Sequence, residues 1–220
     1  MMPPKKDDKI DEDWMSTYSD MVTLLLCFFV MMMAVSKVDV VLFEQIKQGI
    51  SQEWKKEPVE QPVAMLSADL AEDITMLSSE MDITLGNDQA GLTLEIPAAA
   101  FFDSGSARLK PQALNALNKI MSTIKAPRYN KFRFEIQGHT DDSPINTPAF
   151  PSNWELSAGR AAAVVRYFTD NNMNPERFRA VGMADIQPKY PNNDAYGQPI
   201  LHNQERNRRV VIRMEPTFYH

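Results

Sequence analysis

The stretch from Trp14 to Ser36, WMSTYSDMVTLLLCFFVMMMAVS, holds a single carboxylate and no basic residue. As a helix it would cover about 34 Å, more than the roughly 30 Å of a bilayer's hydrocarbon core. Trp14 and Tyr18 sit at its N-terminal edge, where amphipathic rings favour the headgroup level, and Lys37 and Asp39 close the other edge. The spacing therefore predicts one transmembrane helix over 14–36, preceded by a charged, Pro-containing tail over 1–13. A cleaved signal peptide with Ala34-Val35-Ser36 as its cleavage site fits worse, because Asp11, Glu12 and Asp13 crowd the region that should be basic. A lipoprotein needs a small residue before Cys27, where Leu26 stands. A core helix of a soluble domain would be apolar on one stripe, not all round. Lys5, Lys6 and Lys9 favour a cytoplasmic N-terminus, although Lys37 and Lys47 dilute that signal.

Asp20 is the functional candidate within this run. An ionised carboxylate in hydrocarbon costs several kcal/mol, so such residues face a bundle interior or a water-filled cavity. Asp20 could relay protons, or it could ligate a sodium ion together with neighbouring hydroxyls and carbonyls. Thr17 and Thr23 stand three residues away on either side, on about the same face. The plainer alternative is an aspartate near the interface that snorkels or caps the helix. Cys27, Met31, Met32 and Met33 could suggest a soft metal, but consecutive residues point in different directions on a helix and are read as packing residues.

Residues 38–54 place Phe43, Ile46, Ile50 and Trp54 on one helical stripe, with Glu44, Gln45, Lys47, Gln48 and Gln52 opposite. Such a helix can lie on a membrane surface, dock on a partner or simply pack. Pro58 and Pro62 break the pattern, and 58–90 reads as a stiff linker, in keeping with 15 prolines against 8 glycines. Within it, 67–85 can be helical, with Leu70, Ile74, Leu77 and Met81 on one face.

From about Gly91 the pattern becomes α/β. Leu92–Ile96 alternates as a strand, Pro111 opens a helix to about Lys125, and FRFEIQ at 132–137 is strictly period two. Ser152 or Asn153 caps a helix to about Asn171, and 178–181 and 210–214 are further strands. The β-α-β-α-β order with a last strand implies helices stacked on one mixed sheet. Gly138-His139-Thr140-Asp141-Asp142 follows the second strand, where sites tend to be built. With Arg160 on the next helix and Arg206, Arg208 and Arg209 before the last strand, the segment offers a carboxylate for an ammonium and guanidinium for a carboxylate, a grip suited to a zwitterion. Asp141 and Arg160 could instead pair only to hold a loop. A hydrolytic triad of His139, Asp141 and Ser143 or Ser152 lacks a GxSxG elbow, and a metal at His139, Asp141 and Asp142 lacks a second nearby histidine. No catalytic residue, cofactor or resident metal is expected. The formal net charge of −6 argues against nucleic acid, and the lone Cys27 excludes an internal disulfide.

GHTDD, SNWELSAGRAAAV and ERNRRVVIR together resemble the OmpA-like peptidoglycan-binding domain, and SNWELSA with the Pro-rich insertion after GHTD resembles its MotB branch. WMSTYSDMVTLLLCFFVMMMAVSKVDVVLFEQI resembles the single span of flagellar stator B subunits, with Cys27-Phe28-Phe29-Val30 similar to the PomB subgroup. The resemblance implies an ion-carrying Asp20 with sodium or a proton as cargo, the PomB-like stretch leaning towards sodium. It makes 37–57 a plug against leakage and 91–220 a periplasmic domain. It assigns peptidoglycan binding to Thr140, Asp141, Asn153, Arg160 and Arg206, with Asp141 and Arg160 on the diaminopimelate-type residue. It implies a homodimer within a ring of MotA- or PomA-like subunits, acting on the rotor through that ring, in the inner membrane with a cytoplasmic N-terminus. Gly159 departs from the family, where a larger residue such as aspartate is common. A purely structural wall tether, or a subunit of a related non-flagellar motor, are the competing functions.

Overall fold

The computed structural model describes residues 13–35, 62–88 and 90–217, in two compact units that are taken separately. The N-terminal tail and the plug positions Phe43, Ile46, Ile50 and Trp54 lie outside the described residues. The first unit contains helix α1, Asp13–Val35, which meets the expected span to within one residue at each end. Its segment Trp14–Ala34 is long and apolar enough to cross a membrane, and every side chain in it is exposed.

The second unit begins with α2, Pro62–Met81, followed by β1, Thr84–Asn87, and β2, Leu92–Pro97. Then come the short α3, Ala98–Phe101, α4, Pro111–Ile124, and β3, Phe132–Gly138. The chain closes with α5, Asn153–Asp170, β4, Phe178–Gly182, α6, Leu201–Asn207, and β5, Arg209–Pro216. The five strands form one mixed sheet in the order β1-β2-β5-β3-β4, antiparallel except for β3 and β4, which α5 connects in parallel. Leu94 and Ile136 flank Ile212 in register, so their side chains share the face that the helices cover.

The domain starts earlier than the sequence reading placed it. From Pro62 onward the expected 58–90 linker is folded, and Val63, Leu66, Leu70, Ile74, Leu77 and Met81 belong to the same core as Leu94, Leu117, Ile120 and Phe168. At about 1.5–3 kcal/mol per buried side chain, this stripe contributes on the order of 10 kcal/mol before ordering entropy is subtracted. Pro62, read as a breaker, is the first residue of α2, where its missing N–H costs nothing. The expected helix over 67–85 ends at Met81 because Asp82 turns into the left-handed region at φ 50°. Two acidic side chains fasten α2 to its neighbours. Asp69 pairs with Arg128 at 2.5 Å and accepts from Tyr129 Oη at 2.5 Å, and Asp73 accepts from Thr123. Burial, and then the Asp69 carboxylate, push the Tyr129 phenol up to about 12.

Candidate wall-binding site

Two glycines set the site's geometry by letting α5 approach the sheet. A Cβ on Gly138 would lie 2.1 Å from Ser157 O, and one on Gly182 would lie 2.8 Å from Ala158 N. The first turns of α5 therefore sit directly against the C-terminal ends of β3 and β4, where the Gly138–Asp142 segment leaves the sheet. A reciprocal capping box fixes the start of α5: Ser152 Oγ accepts from Trp154 N at 3.2 Å, and Ser152 N donates to Glu155 Oε2 at 2.8 Å.

Asp141 is buried, its side chain only 7% exposed. Its Oδ1 accepts from Ser143 N at 3.2 Å, and its Oδ2 pairs with Arg208 Nη1 at 2.5 Å. Asn153 Nδ2 donates to the carbonyls of Asp141 and Ser143, at 3.2 and 3.0 Å, clamping the loop to α5. Thr140 N donates to Ala184 O at 2.9 Å, and the buried Thr140 Oγ1 has no partner among the described residues. Asp142 turns the other way and accepts from Asn193 and Gln204, tying this loop to the segment before β5.

Arg160 is buried against the Phe102 ring, its guanidinium carbon 5.4 Å from the centroid, and its Nε donates to Ser106 O at 2.9 Å. Among the described residues its terminal nitrogens bond to no protein group. Burial, followed by the like charge of Arg208, lowers its pKa to about 10, against the opposing pull of Asp141, so it remains a cation at neutral pH. The site thus presents one carboxylate between two guanidinium groups.

The structure distributes the expected residues unevenly. Thr140, Asp141, Asn153 and Arg160 belong to one cluster. Asp141 takes its ion pair from Arg208 rather than from Arg160. Arg206 lies on α6 with its guanidinium over the Tyr190 ring, 4.5 Å from the centroid, and lines a separate groove with Glu95, Lys189 and His202. The stacking energy available on Tyr190 holds Arg206 there. Gly159, the departure from the family pattern, makes room for the Pro-rich insertion, since a Cβ there would come within 3.0 Å of Phe150 Cε1. Sequence reasoning missed Phe102 and Ser106, which bear no motif and lie more than fifty residues from Arg160.

His139 points elsewhere. It is 2% exposed, its Nε2 is 3.4 Å from Gln137 Oε1, and among the described residues its Nδ1 has no partner. Ser143, Ser152 and Asp141 are engaged as described above, and no hydrogen bond joins them to the imidazole. Burial, then the charges of Arg209 and Arg213, lower its pKa from 6.5 to about 3. Below pH 6.5 the unfolded chain therefore binds a proton that the folded one refuses. Stability from this residue is complete above pH 6.5 and falls as the pH drops towards 3, with about 2 kcal/mol gone by pH 5. His139→Gln should remove that slope between pH 6.5 and 5 in denaturant titrations of the full chain in detergent. An unchanged slope would contradict the assignment.

Comparison with known proteins places these features. Residues 2–53 match the family described as membrane MotB of the proton-channel complex MotA/MotB, and residues 101–200 match the OmpA family. Motility protein B of Bacillus subtilis is 26% identical over 96% of this chain and 93% of its own length. Among solved structures, a MotB-like protein from Desulfovibrio vulgaris superposes with a TM-score of 0.60 at 28% identity, covering 71% of this chain and 93% of that one. The cell wall anchor of the type VI secretion system from Pseudomonas aeruginosa superposes with a TM-score of 0.57 at 28% identity, covering 70% and 97%.

Proposed function

We propose that this chain, a MotB-like protein with an OmpA-like domain, is the wall-anchored subunit of an ion-driven flagellar stator. The observation that carries this reading is one carboxylate, Asp20, inside a membrane-length helix on the same chain as a domain of the peptidoglycan-binding type. A tether alone gains nothing from a charge that costs several kcal/mol to hold in hydrocarbon. A motor subunit gains the free energy of ion transfer, roughly 2.3 kcal/mol per elementary charge per 100 mV.

In this reading α1 spans the inner membrane once, with a cytoplasmic N-terminus and the domain in the periplasm. Two copies stand within a ring of MotA- or PomA-like subunits. Asp20 is loaded with sodium or a proton from one side and discharged to the other, and each change of its charge shifts its attraction to the ring, which turns the rotor. Thr23 Oγ1 donates to Asp20 O at 2.8 Å, so its oxygen keeps lone pairs that can face an ion, and Thr17 Oγ1 donates to Trp14 O at 2.9 Å one turn earlier. Residues 37–57 serve as the plug. In the domain, Asp141 takes the ammonium of a diaminopimelate-type residue and Arg160 its carboxylate, with Thr140 and Asn153 shaping the pocket. Arg208, rather than Arg206, completes the charge balance.

The test is swimming speed against external sodium at fixed pH and ionic strength, in cells whose only stator is this chain and its cognate partner. A saturating rise makes Asp20 a sodium site. A flat response, with motility lost to a protonophore, makes it a proton carrier. No motility under either gradient contradicts the stator reading and leaves a static wall anchor, the alternative that the secretion-system neighbour favours.

A further inference from the structure

The two charges assigned to the ligand are nearly closed to solvent, Asp141 at 5% exposed and Arg160 at 4%. The Pro-rich segment 143–151, between β3 and α5, lies across the residues beside them. Phe150 packs on Gly159, which precedes Arg160 on α5: a Cβ there would stand 3.0 Å from Phe150 Cε1. Ile145 packs on Gly105, which precedes Ser106, the residue whose carbonyl holds Arg160 Nε: a Cβ there would stand 3.6 Å from Ile145 Cδ1. The segment thus bridges the helix that carries Arg160 and the loop that holds it.

No hydrogen bond fastens the middle of the segment to either side. Among the described residues, 144–151 hydrogen-bond only with one another: Thr147 N donates to Phe150 O at 3.0 Å, and Phe150 N donates to Thr147 O at 3.1 Å and to Thr147 Oγ1 at 3.0 Å. Pro144, Pro148 and Pro151 hold φ fixed, so the segment is stiff. Its ends are pinned, Ser143 by Asp141 Oδ1 and Asn153 Nδ2, and Ser152 by the capping box of α5. Between those ends only Ile145, Thr147 and Phe150 are partly buried, and the other residues are exposed. A stiff flap pinned at both ends and latched by two half-buried apolar side chains can rise without breaking a hydrogen bond. That keeps the raised form within the range of a populated minor state, about 0.1–10%.

We propose that segment 143–151 is a flap that gates the wall-binding site, with Phe150 as its latch on Gly159. The ligand reaches Asp141 and Arg160 only while the flap is raised. This inference rests on the wall-binding reading of the Asp141 and Arg160 cluster. Its association rate is then the rate for the raised form multiplied by the fraction raised. Loosening the latch increases that fraction, whereas truncating a fixed wall of the site would slow or weaken binding. The test is stopped-flow association of a fluorophore-labelled soluble stem tripeptide ending in diaminopimelate with the detergent-solubilised full chain. Phe150→Ala should associate about tenfold faster than the unaltered chain, and Phe150→Leu, which keeps an apolar latch, should stay close to it. Gly159→Ala should accelerate association too, because its methyl would stand 3.0 Å from Phe150 Cε1, closer than carbon atoms pack, and push the ring off its seat. Measurable binding by Phe150→Ala alone would also support the gate. Association no faster in either alanine variant would overturn the proposal and make the segment a fixed wall of the site. Binding by neither the unaltered chain nor any variant would overturn the wall-binding reading itself, and this inference with it.

Discussion

Asp20→Asn should abolish rotation completely while leaving the chain in the membrane and on the wall. Asparagine has the shape of aspartate without its ionisable oxygen, so it neither takes up a proton nor offers a full charge to sodium. Removing the carboxylate also makes α1 cheaper to insert, by a few kcal/mol at most, so loss of the protein from the membrane is not expected. The distance from Asp20 to the folded domain along the sequence means that the wall contacts are untouched. The check pairs speed measurements with membrane fractionation and peptidoglycan sedimentation of the same variant. Residual swimming above a tenth of the normal speed would show that the ion is carried elsewhere.

The second large effect is expected at Asp141. It is buried with its carboxylate between Arg208 and the amide of Ser143, close enough to Arg160 to raise that group's pKa. Asp141→Ala leaves the Arg160 and Arg208 guanidinium groups facing each other with no anion between them. Retention on isolated peptidoglycan should fall at least about tenfold, because both the ligand's ammonium partner and the balance that keeps Arg160 receptive are lost. The fold should lose less, about 1–3 kcal/mol, since Arg208 is 41% exposed and can turn to water. Asp141→Asn should lose nearly as much retention with less change in stability, because the amide oxygen still accepts from Ser143 N. Full retention by both variants would reduce the cluster to a structural ion pair.

How much of this was legible in the sequence depends on the range of the interaction involved. The bounds of the apolar N-terminal helix were readable to a residue, because hydropathy over more than twenty positions averages out local noise. The inward stripe Leu70, Ile74, Leu77 and Met81 was readable too, because helix periodicity is local. What the stripe packs against is not local, so the sequence pattern alone places a helix that shares the domain's core within a linker. Strand β1 spans only Thr84–Asn87, including Gly86, and has no clear alternation to betray it. Within the site, Gly138–Asp142 and Arg160 stood out by residue type. Which arginine of the Arg206–Arg209 run would reach Asp141 did not, because α6 ends at Asn207 and each residue beyond it points a different way as β5 begins. The support of Arg160 by Phe102 and Ser106 comes from the loop after α3 and leaves no mark in the local pattern. Gly159 was visible as a departure, and its reason appeared only with Phe150 packed against it.

The most direct test of the account is rotation itself. Cells lacking their own stators, supplied with this chain and its MotA- or PomA-like partner, would be tethered by a single flagellar filament and watched while the ion gradients are collapsed one at a time. The account predicts steady rotation that stops when the gradient of the coupling ion is dissipated and resumes when it is restored. Cells that stay still under intact gradients, with the protein present in the membrane and bound to the wall, would contradict it and identify the chain as an anchor alone.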